Sequence, residues 1–505
     1  MRKFTELKNN LFAALLLVAL ASTQIVAQRA GQPQTGPSGQ SVTGADIKGR
    51  APVNKDILKV SLPKAQEATL PNGLRVVLLE NHRVPTFTMQ MVVLSGGLSD
   101  PSSYHGLAQF TAALLREGTP TRKSKDIAEQ MDTLGATLGA SSGIASFTSN
   151  ITTSGLVENF GQTLDIFSDV VRNPKFPQEE VDKYKQRQLA QLQVQRSIPQ
   201  FLAAERFQRA IYGEQHPAGM IVPPTEAIKR ITSTDLAGFH STHYRPNNAI
   251  LTIVGDVTLA EIMPKLSKAF GDWQKGEVPA TKVPAAPDQG VMRIQLVDRP
   301  GSVQTVLQLG NLGIERTNED YFALLVMNQI LGSGPASRLF LNLREKNGYT
   351  YGAYSNFGGS KFRGTVVSSS EVRTDVTEGA MKEFMYELKR IREEKVNATE
   401  LENAKRAIVG SFALSLEQPN ALIQNIITQK LYDLPADYWD AYPQRVAQIT
   451  ADDVQRAAQR YVNLSNLQIV AVGDASKARE VLAKYGTVEV YDAEGAAITE
   501  KKPTP

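Results

Sequence analysis

The chain has 505 residues, of which 42% are hydrophobic and 21% are charged, values typical of a soluble globular protein with more than one domain. Its 55 basic and 51 acidic residues leave a net charge of only +4, which gives no concentrated field of the kind that nucleic-acid binding requires. The absence of cysteine excludes disulfides and a lipid anchor on cysteine.

The N-terminus has the composition of an export signal. Three basic residues within the first eight positions precede the apolar residues 11–21, which are too few to span a bilayer. This order is typical of a secretory signal peptide over residues 1–27, with a buried N-terminal helix as the alternative. We therefore expect a periplasmic or secreted protein whose mature chain has no membrane span. Residues 28–55, rich in Gly, Pro and Gln, are predicted to be a flexible leader.

The two halves of the chain repeat the same pattern. Shifted by 218 positions, the Ile-Thr-x-x-Asp pattern at 231–235 falls on 449–453, and the Val-Gly-Asp at 254–256 falls on 472–474. With a shift of 220, three further residues find matches, namely Glu180, Pro199 and Tyr212 with Glu400, Pro419 and Tyr432. A match of this length indicates duplication of a whole domain rather than a short repeat.

Within each half, strands are predicted early and helices later. Residues 70–79 and 86–94 have the apolar or alternating pattern of strands, whereas 177–196 and 399–416 carry apolar residues at helical spacing. This order predicts an α+β fold of two homologous domains, each a mainly antiparallel sheet with helices on one face. Two such domains can form half of a clamshell.

The composition also predicts the domain boundaries. The N-terminal domain is assigned to 56–274 and the C-terminal domain to 291–490. Between them, residues 275–290 contain three prolines among small and charged residues and are predicted to be a linker. Residues 491–505 form a polar tail. We expect a protease to cut the linker and the leader before it cuts either domain.

The segment 105–119 carries a motif that is informative about function. Six residues form its frame, namely Gly106, Leu107, Ala108, Phe110, Gly118 and Thr119. The segment resembles the zinc-binding helix of the pitrilysin, insulinase and mitochondrial-processing-peptidase family, which reads G-L-A-H-F-x-E-H, and 70–74 resembles the opening strand of that family. Here Gln109 and Ala113 stand at the two His positions, and Ala112 stands at the Glu position.

These substitutions remove the chemistry that the motif performs in the family. Two His at i and i+4 on one helix face grip a zinc ion, and the Glu takes a proton from the bound water. A glutamine amide is a poor zinc ligand and an alanine is none. The third ligand of the family falls, by the resemblance, near Gln188, Ala190 and Gln191, while Glu179 and Glu180 lie about two turns too early. We expect no cofactor in this chain.

Residues 337–351 carry a second signature. They match the S-R-L-F-x-x-L-R-E-K-x-G-x-x-Y pattern of the second domain of the same family. The resemblance implies that Arg344 and Tyr351 hold the substrate backbone and the developing oxyanion. The local pattern predicts a helix over 335–346, ended by Gly348 and followed by a strand. The alternative interpretation is a solvated Arg at a helix end and a core Tyr.

Three further features have structural as well as functional interpretations. Residues 332–335 lie where processing peptidases carry a glycine-rich substrate loop, but a segment this short favours a turn at a helix start. Gly96 and Gly97 indicate a sheet edge of the kind that accepts an extra peptide strand, or are simply structural. His240 and His243 could share a metal, but no third ligand has a recognisable spacing, which favours core or solvated histidines.

These expectations indicate a noncatalytic subunit of a heterodimeric zinc metallopeptidase, inactive alone. A partner with the H-x-x-E-H motif would contribute the zinc and the general-base Glu, and this chain would close the peptide chamber and contribute Arg344 and Tyr351 across the interface. The expected partners are that subunit and a peptide substrate, without nucleic acid. The alternatives are a peptide- or protein-holding structural module without a peptidase partner, and a standalone hydrolase with another metal site.

Overall fold

The first half of the chain forms a six-stranded mixed sheet. The computed structural model describes residue 60 and residues 62–498, so the predicted signal peptide and leader lie outside the described residues. The strands of this sheet are β1 (Gln66–Thr69), β2 (Arg75–Glu80), β3 (Thr86–Val93), β4 (Thr137–Ser142), β5 (Ser149–Leu156) and β6 (Ala249–Gly255). Their order is β1-β2-β6-β3-β5-β4, in which β2 and β6 are parallel and the other neighbours are antiparallel.

The second half forms a second six-stranded mixed sheet. Its strands are β7 (Arg293–Asp298), β8 (Gln304–Leu312), β9 (Thr350–Gly359), β10 (Arg363–Arg373), β11 (Gln468–Gly473) and β12 (Val488–Tyr491). Their order is β12-β7-β11-β8-β10-β9, in which β7 is parallel to both of its neighbours and the remaining pairs are antiparallel.

Five strands of each sheet have the same topology. Numbered along the chain within each half, the shared strands lie in the order 1-5-2-4-3 in both sheets. The sixth strand differs, because β1 precedes the repeat in the first half whereas β12 follows it in the second. The domain duplication predicted from the sequence and the α+β class are therefore confirmed.

Helices connect the strands in both halves. Those of the first half are α1 (Leu107–Leu114), α2 (Ser124–Thr133), α3 (Phe160–Arg172), α4 (Gln178–Arg196), α5 (Pro199–Tyr212), α6 (Thr225–Arg230), α7 (Ser233–His243) and α8 (Leu259–Phe270). Those of the second half are α9 (Tyr321–Leu331), α10 (Arg338–Phe340, continued by a π-helical turn over Leu341–Lys346), α11 (Thr377–Glu393), α12 (Ala398–Ser415), α13 (Pro419–Leu431), α14 (Tyr442–Gln448), α15 (Ala451–Tyr461) and α16 (Ala475–Ala483). No helix within the described residues is long and apolar enough to cross a membrane.

The repeated Thr and Asp residues start equivalent helices. At the start of α7, the Thr232 hydroxyl accepts from the Asp235 N–H at 3.2 Å, and the Asp235 carboxylate accepts from the Thr232 N–H at 2.8 Å. Thr450 and Asp453 form the same reciprocal pair at the start of α15, at 3.1 and 2.9 Å. A capping box satisfies backbone donors that the first helical turn leaves unpaired, which explains why both halves carry the same pattern.

Each sheet buries one face beneath the helices of its own half. In the first half this core includes Met89, Met91 and Phe167, all fully or nearly fully buried. In the second half the equivalent core includes Met327 and Phe384, each with no exposed surface. Apolar residues at alternate strand positions therefore face apolar helix stripes, as the sequence periodicity predicts.

The opposite face of each sheet is covered by a helix from the other half. Apolar residues of α13 pack on β2, β3 and β6 of the first sheet, and apolar residues of α5 pack on β7, β8 and β11 of the second. We call α5 and α13 the exchanged helices, because each packs on the sheet of the other half. They are equivalent in the repeat, since Pro199 and Pro419 each stand in the first turn. The halves are thus joined by two reciprocal apolar contacts besides the linker.

The predicted linker, 275–290, contains no helix or strand. Side chains of the first half hold it through its backbone carbonyls. Asn247 donates to the Gly276 carbonyl at 2.8 Å, and His216 Nε2 donates to the Pro284 carbonyl at 2.9 Å. The order in which a protease cuts the chain stays a prediction.

The predicted polar tail begins at the last residue of β12. Its described part folds back on that strand, because the Ile498 N–H donates to the Val490 carbonyl at 2.8 Å. The guanidinium of Arg206, on the exchanged helix α5, lies 4.3 Å from the ring centroid of Tyr491. The start of the tail is thus in contact with the exchanged helix.

Candidate functional site

The frame of the metallopeptidase-like segment folds as the sequence predicts. Helix α1 starts after Gly106, whose φ of 101° and close contact with Pro223 suit a residue without a Cβ. The Asp100 carboxylate accepts from the N–H groups of Gly106 and Ala108 at 2.7 and 2.8 Å. Burial raises the pKa of Asp100 to about 7, against the lowering effect of these hydrogen bonds. The frame residues thus build the start of a helix.

The positions of the missing ligands lie on α1 beside α4. Gln109 and Ala113 are half-buried, and Ala112 has no exposed surface. Tyr184 of α4 lies beside Gln109, and burial raises the pKa of the Tyr184 hydroxyl against a lowering effect of the Gln109 side chain. The Tyr184 ring packs edge-on against Phe110, with ring centroids 4.7 Å apart. Gln109, with Tyr184 beside it, therefore stands at one of the two His positions of the family motif, and Ala113 stands at the other.

Helix α4 offers no carboxylate at the expected place for a third ligand. Gln188 is half-buried, and Ala190 and Gln191 are exposed. Glu179 and Glu180 pair with Lys183 of the same helix at 2.6 and 3.0 Å. Zinc in proteins is bound by thiolate, imidazole or carboxylate groups, so the residues at this place do not fit a zinc ion. The described residues also contain no group of three His, Asp or Glu side chains that could hold a metal.

Restoring the motif alone is not expected to restore activity. The variant Gln109→His/Ala112→Glu/Ala113→His should retain no stoichiometric zinc after dialysis and should not hydrolyse labelled casein. Three protein ligands are needed, and the third ligand, a carboxylate in the family, is still missing from this variant. Zinc content by atomic absorption and hydrolysis by fluorescence release measure this. A melting curve must accompany them, since the new Glu at 112 would be buried.

Adding a carboxylate by Ala190→Glu or Gln191→Glu to that triple variant provides the comparison. Zinc-dependent hydrolysis by the triple variant without this fourth change would show that the third ligand lies elsewhere in the chain.

Four of the five histidines, all except the exposed His82, have buried side chains. His240 Nε2 donates to the Val171 carbonyl at 2.8 Å, and burial lowers the pKa of His240 to about 4. His243 Nδ1 lies 3.0 Å from the Ser95 hydroxyl, and burial lowers its pKa as well. His105 is 8% exposed, and burial lowers its pKa. The core interpretation of His240 and His243 is therefore confirmed.

The second signature folds into a short helix, a π-helical turn and an edge strand. Leu339 and Leu343 are fully buried, and Gly348, with a φ of 63°, ends the turn. The buried Asn342 amide donates to the carboxylates of Glu383 and Glu387 on α11 at 2.9 and 2.7 Å. This network ties the turn to the core. The predicted helix starts three residues later than expected, at Arg338 instead of residue 335.

Arg344 and Tyr351 both point to the surface. The Arg344 side chain is 46% exposed, and its guanidinium lies 4.9 Å from the ring centroid of Phe340. Tyr351 is 87% exposed, which excludes the alternative of a core tyrosine. The nearby Tyr349 is directed inward, with its hydroxyl against Gly379 of α11. The structure thus places both candidate residues where a second molecule can reach them.

A β-bulge directs Tyr351 outward. Along β9 the residues Ala353 and Ser355 are buried and face the helices, so regular alternation would turn residue 351 inward as well. The register with β10 shifts between Ser370 and Val372, where Tyr351 and the next residue oppose a single residue of β10. The extra residue of a bulge moves the side chains of the residues before it to the opposite face of the sheet.

Two glycine-containing segments prove to be structural. Gly332 ends α9, and its carbonyl accepts from the Ser355 N–H of β9 at 2.9 Å, which confirms the turn interpretation of 332–335. The sheet-edge interpretation of Gly96 and Gly97 is wrong. They follow β3, which lies between β6 and β5, and their backbone packs against the turn between β4 and β5, with the Gly97 N–H 3.2 Å from the Gly143 carbonyl.

Sequence reasoning missed two parts of this region. The contact between Tyr184 and Gln109 could not be predicted, because the two residues lie in different helices and no local pattern indicates it. The bulge had a signal, since Gly352 interrupts a strand pattern, and glycine inside a strand often marks a bulge.

Two family descriptions match this chain. Residues 75–225 match the model described as insulinase, peptidase family M16, and residues 230–408 match the model described as the peptidase M16 inactive domain. Together the two matches span more than half of the chain. The first contains the vacant ligand positions, and the second contains Arg344 and Tyr351.

Similar proteins and solved structures agree with these matches. An uncharacterized zinc protease of Streptomyces coelicolor is 25% identical over 404 residues, which cover 78% of this chain and 86% of that protein. A structure described as a peptidase M16 inactive domain from Pseudomonas fluorescens is 27% identical, with a TM-score of 0.75 over 81% of this chain and 98% of that one. A protease from Helicobacter pylori has a TM-score of 0.76 at 20% identity, covering 82% and 100% of the two chains, and shows the shared fold.

Proposed function

The chain belongs to the insulinase (M16) family of peptidases, and we propose that it is the noncatalytic subunit of a heterodimeric zinc metallopeptidase. One observation carries this proposal. The first half keeps the frame of the zinc-binding helix with Gln109 and Ala113 at the ligand positions and Ala112 at the general-base position, while the second half keeps Arg344 and Tyr351 exposed. The chain alone would be inactive.

The exposure of Tyr351 supports a role in contacting a second molecule. A tyrosine that is 87% exposed contributes little to folding, yet the π-helical turn and the bulge fix the backbone on both sides of Gly348. Structure of this kind around an exposed phenol and guanidinium favours recognition. The Tyr351 hydroxyl can donate a hydrogen bond to a developing oxyanion, and Arg344 can hold peptide carbonyls.

The partner would supply what this chain lacks. It would carry the H-x-x-E-H motif, the zinc ion and the general-base Glu, and the two subunits would enclose a peptide chamber. The signal peptide proposed for 1–27 would place this chain in the periplasm or outside the cell, and the partner would need an export signal of its own to meet it there.

A peptide-holding role without a peptidase is the second candidate. It is favoured by β4, an edge strand of the first sheet, beside a Gln109–Tyr184 pair that can both donate and accept hydrogen bonds. An edge strand can take up an extended peptide as an additional strand. This role needs no chemistry from Arg344 or Tyr351, so kinetics on those two residues separates the candidates.

Reconstitution tests the proposal. The chain is purified alone, and again after co-expression with a chain of similar size that contains H-x-x-E-H and is encoded in the neighbouring reading frame. We expect no zinc and no peptidase activity for this chain alone, a stable pair in the periplasmic fraction, and hydrolysis of labelled casein only by the pair.

Stoichiometric zinc with activity in the isolated chain would contradict the proposal and favour the standalone hydrolase. A stable particle that hydrolyses nothing with any such partner would instead favour the holding module. A pair made with an H-x-x-E-H chain whose Glu is replaced by Gln serves as the inactive control, since it keeps assembly and removes the general base.

A further inference from the structure

The bulge at the start of β9 is held by two hydroxyl groups. Residues Tyr351 and Gly352 together oppose Glu371 of β10, so the regular ladder leaves backbone groups of Gly352 without their usual partners. The Gly352 N–H donates to the Thr350 hydroxyl at 3.1 Å. The Gly352 carbonyl accepts from the Ser370 hydroxyl at 2.9 Å.

Each hydroxyl proton has one acceptor in this arrangement. The Thr350 hydroxyl donates to the Glu371 carbonyl at 2.6 Å, shorter than its 3.0 Å distance to the Gly352 carbonyl. The Ser370 hydroxyl then donates to the Gly352 carbonyl, and the two hydroxyl oxygens lie 3.0 Å apart. Ser370 is 7% exposed, so water has little access to the network. Hydrogen bonds in such a place compete less with solvent and are stronger.

We propose that Thr350 and Ser370 are positioning residues for Tyr351, acting by holding the bulge that turns its side chain out of the sheet. This inference rests on the proposed function of Tyr351. The Tyr351 side chain is 87% exposed and lacks a packed environment to fix it, so the local backbone sets its direction. Loss of the bulge would return residue 351 to the inward face that Ala353 occupies.

The variant Thr350→Val removes the hydroxyl and keeps the branched shape. In the reconstituted pair, we expect it to lower kcat about 10-fold to 100-fold with little change in KM, the effect of a displaced group in the transition state. Thr350→Ser keeps the hydroxyl and should retain turnover. In the Tyr351→Phe background, Thr350→Val should add no further loss, because its effect passes through the Tyr351 hydroxyl.

A second measurement needs no partner subunit. Hydrogen exchange of the isolated chain, followed by mass spectrometry on a peptide spanning 349–354, should be faster in Thr350→Val than in the natural chain or in Thr350→Ser, because the Gly352 N–H loses its acceptor. Thr133→Val is the control, since its hydroxyl makes a similar bond to the Glu129 carbonyl at 2.7 Å on α2. That control should leave both kcat and exchange at 349–354 unchanged.

The outcomes separate this inference from the function it rests on. If Tyr351→Phe lowers turnover but Thr350→Val does not, the positioning role is overturned and the proposed function stands. Unchanged exchange in Thr350→Val, or a further loss in the double variant, overturns the positioning role as well. If Tyr351→Phe has no effect, both fail together.

Discussion

Replacing Tyr351 with phenylalanine is expected to lower kcat of the reconstituted heterodimer by about 10² to 10³ and to leave assembly intact. The change removes one hydrogen-bond donor and keeps the ring. Because the hydroxyl would meet charge that appears only as the peptide carbonyl is attacked, the loss should fall on kcat. Steady-state kinetics on the purified pair, with size-exclusion chromatography to verify assembly, measures both quantities.

Tyr349→Phe is the matched control for this experiment. Tyr349 lies two residues earlier, but its hydroxyl faces Gly379 of α11, so its loss should not affect turnover. Arg344→Ala should mainly weaken peptide binding, because a guanidinium that holds backbone carbonyls does so in the substrate and in the transition state alike. If Tyr351→Phe and Tyr349→Phe are equally harmless, the pair has no catalytic role, and the holding module becomes the leading function.

Replacing Phe207 with alanine is expected to cost about 3 to 5 kcal/mol in free energy of unfolding. Phe207 is 1% exposed on the exchanged helix α5. Its ring lies over Gly310 of β8, where a Cβ would be 2.8 Å from the ring, so truncation leaves a cavity that the strand cannot fill. Urea unfolding of the isolated chain, followed by circular dichroism, measures the loss.

The same variant tests the exchange of helices. If the linker 275–290 of the natural chain is cut, we expect the two fragments to elute together, because α5 and α13 remain docked on the opposite sheets. In Phe207→Ala the fragments should separate at a lower urea concentration. Phe384→Ala is the control, since Phe384 is fully buried within the second half alone and its loss should destabilise that half without separating the fragments. If the two fragments of the natural chain separate without urea, the exchanged helices are not the main contact between the halves.

Much of the fold could be predicted from the sequence, because the patterns that indicate it act locally along the chain. The capping pairs at Thr232 and Thr450, the Pro at the start of each exchanged helix and the Gly-Asp ends of β6 and β11 each act within a few residues of chain. Patterns of this kind have the same meaning wherever the segment lies. The duplication, the α+β class and the strand that starts near Tyr351 therefore followed from the order of such patterns, and the absence of zinc ligands followed from residue identity alone.

Tertiary structure decided where these elements meet. Helix α5 has apolar residues at helical spacing, and that spacing states only that a face is buried, without naming the sheet that buries it. Its placement on the opposite half depends on contacts between residues far apart in sequence, as does the Gln109–Tyr184 pair. The outward direction of Tyr351 depends on register, because one extra residue opposite Glu371 reverses the face of a strand. Residue identity thus determined the chemistry that the chain carries, and only packing and register decided which of those groups a second molecule can reach.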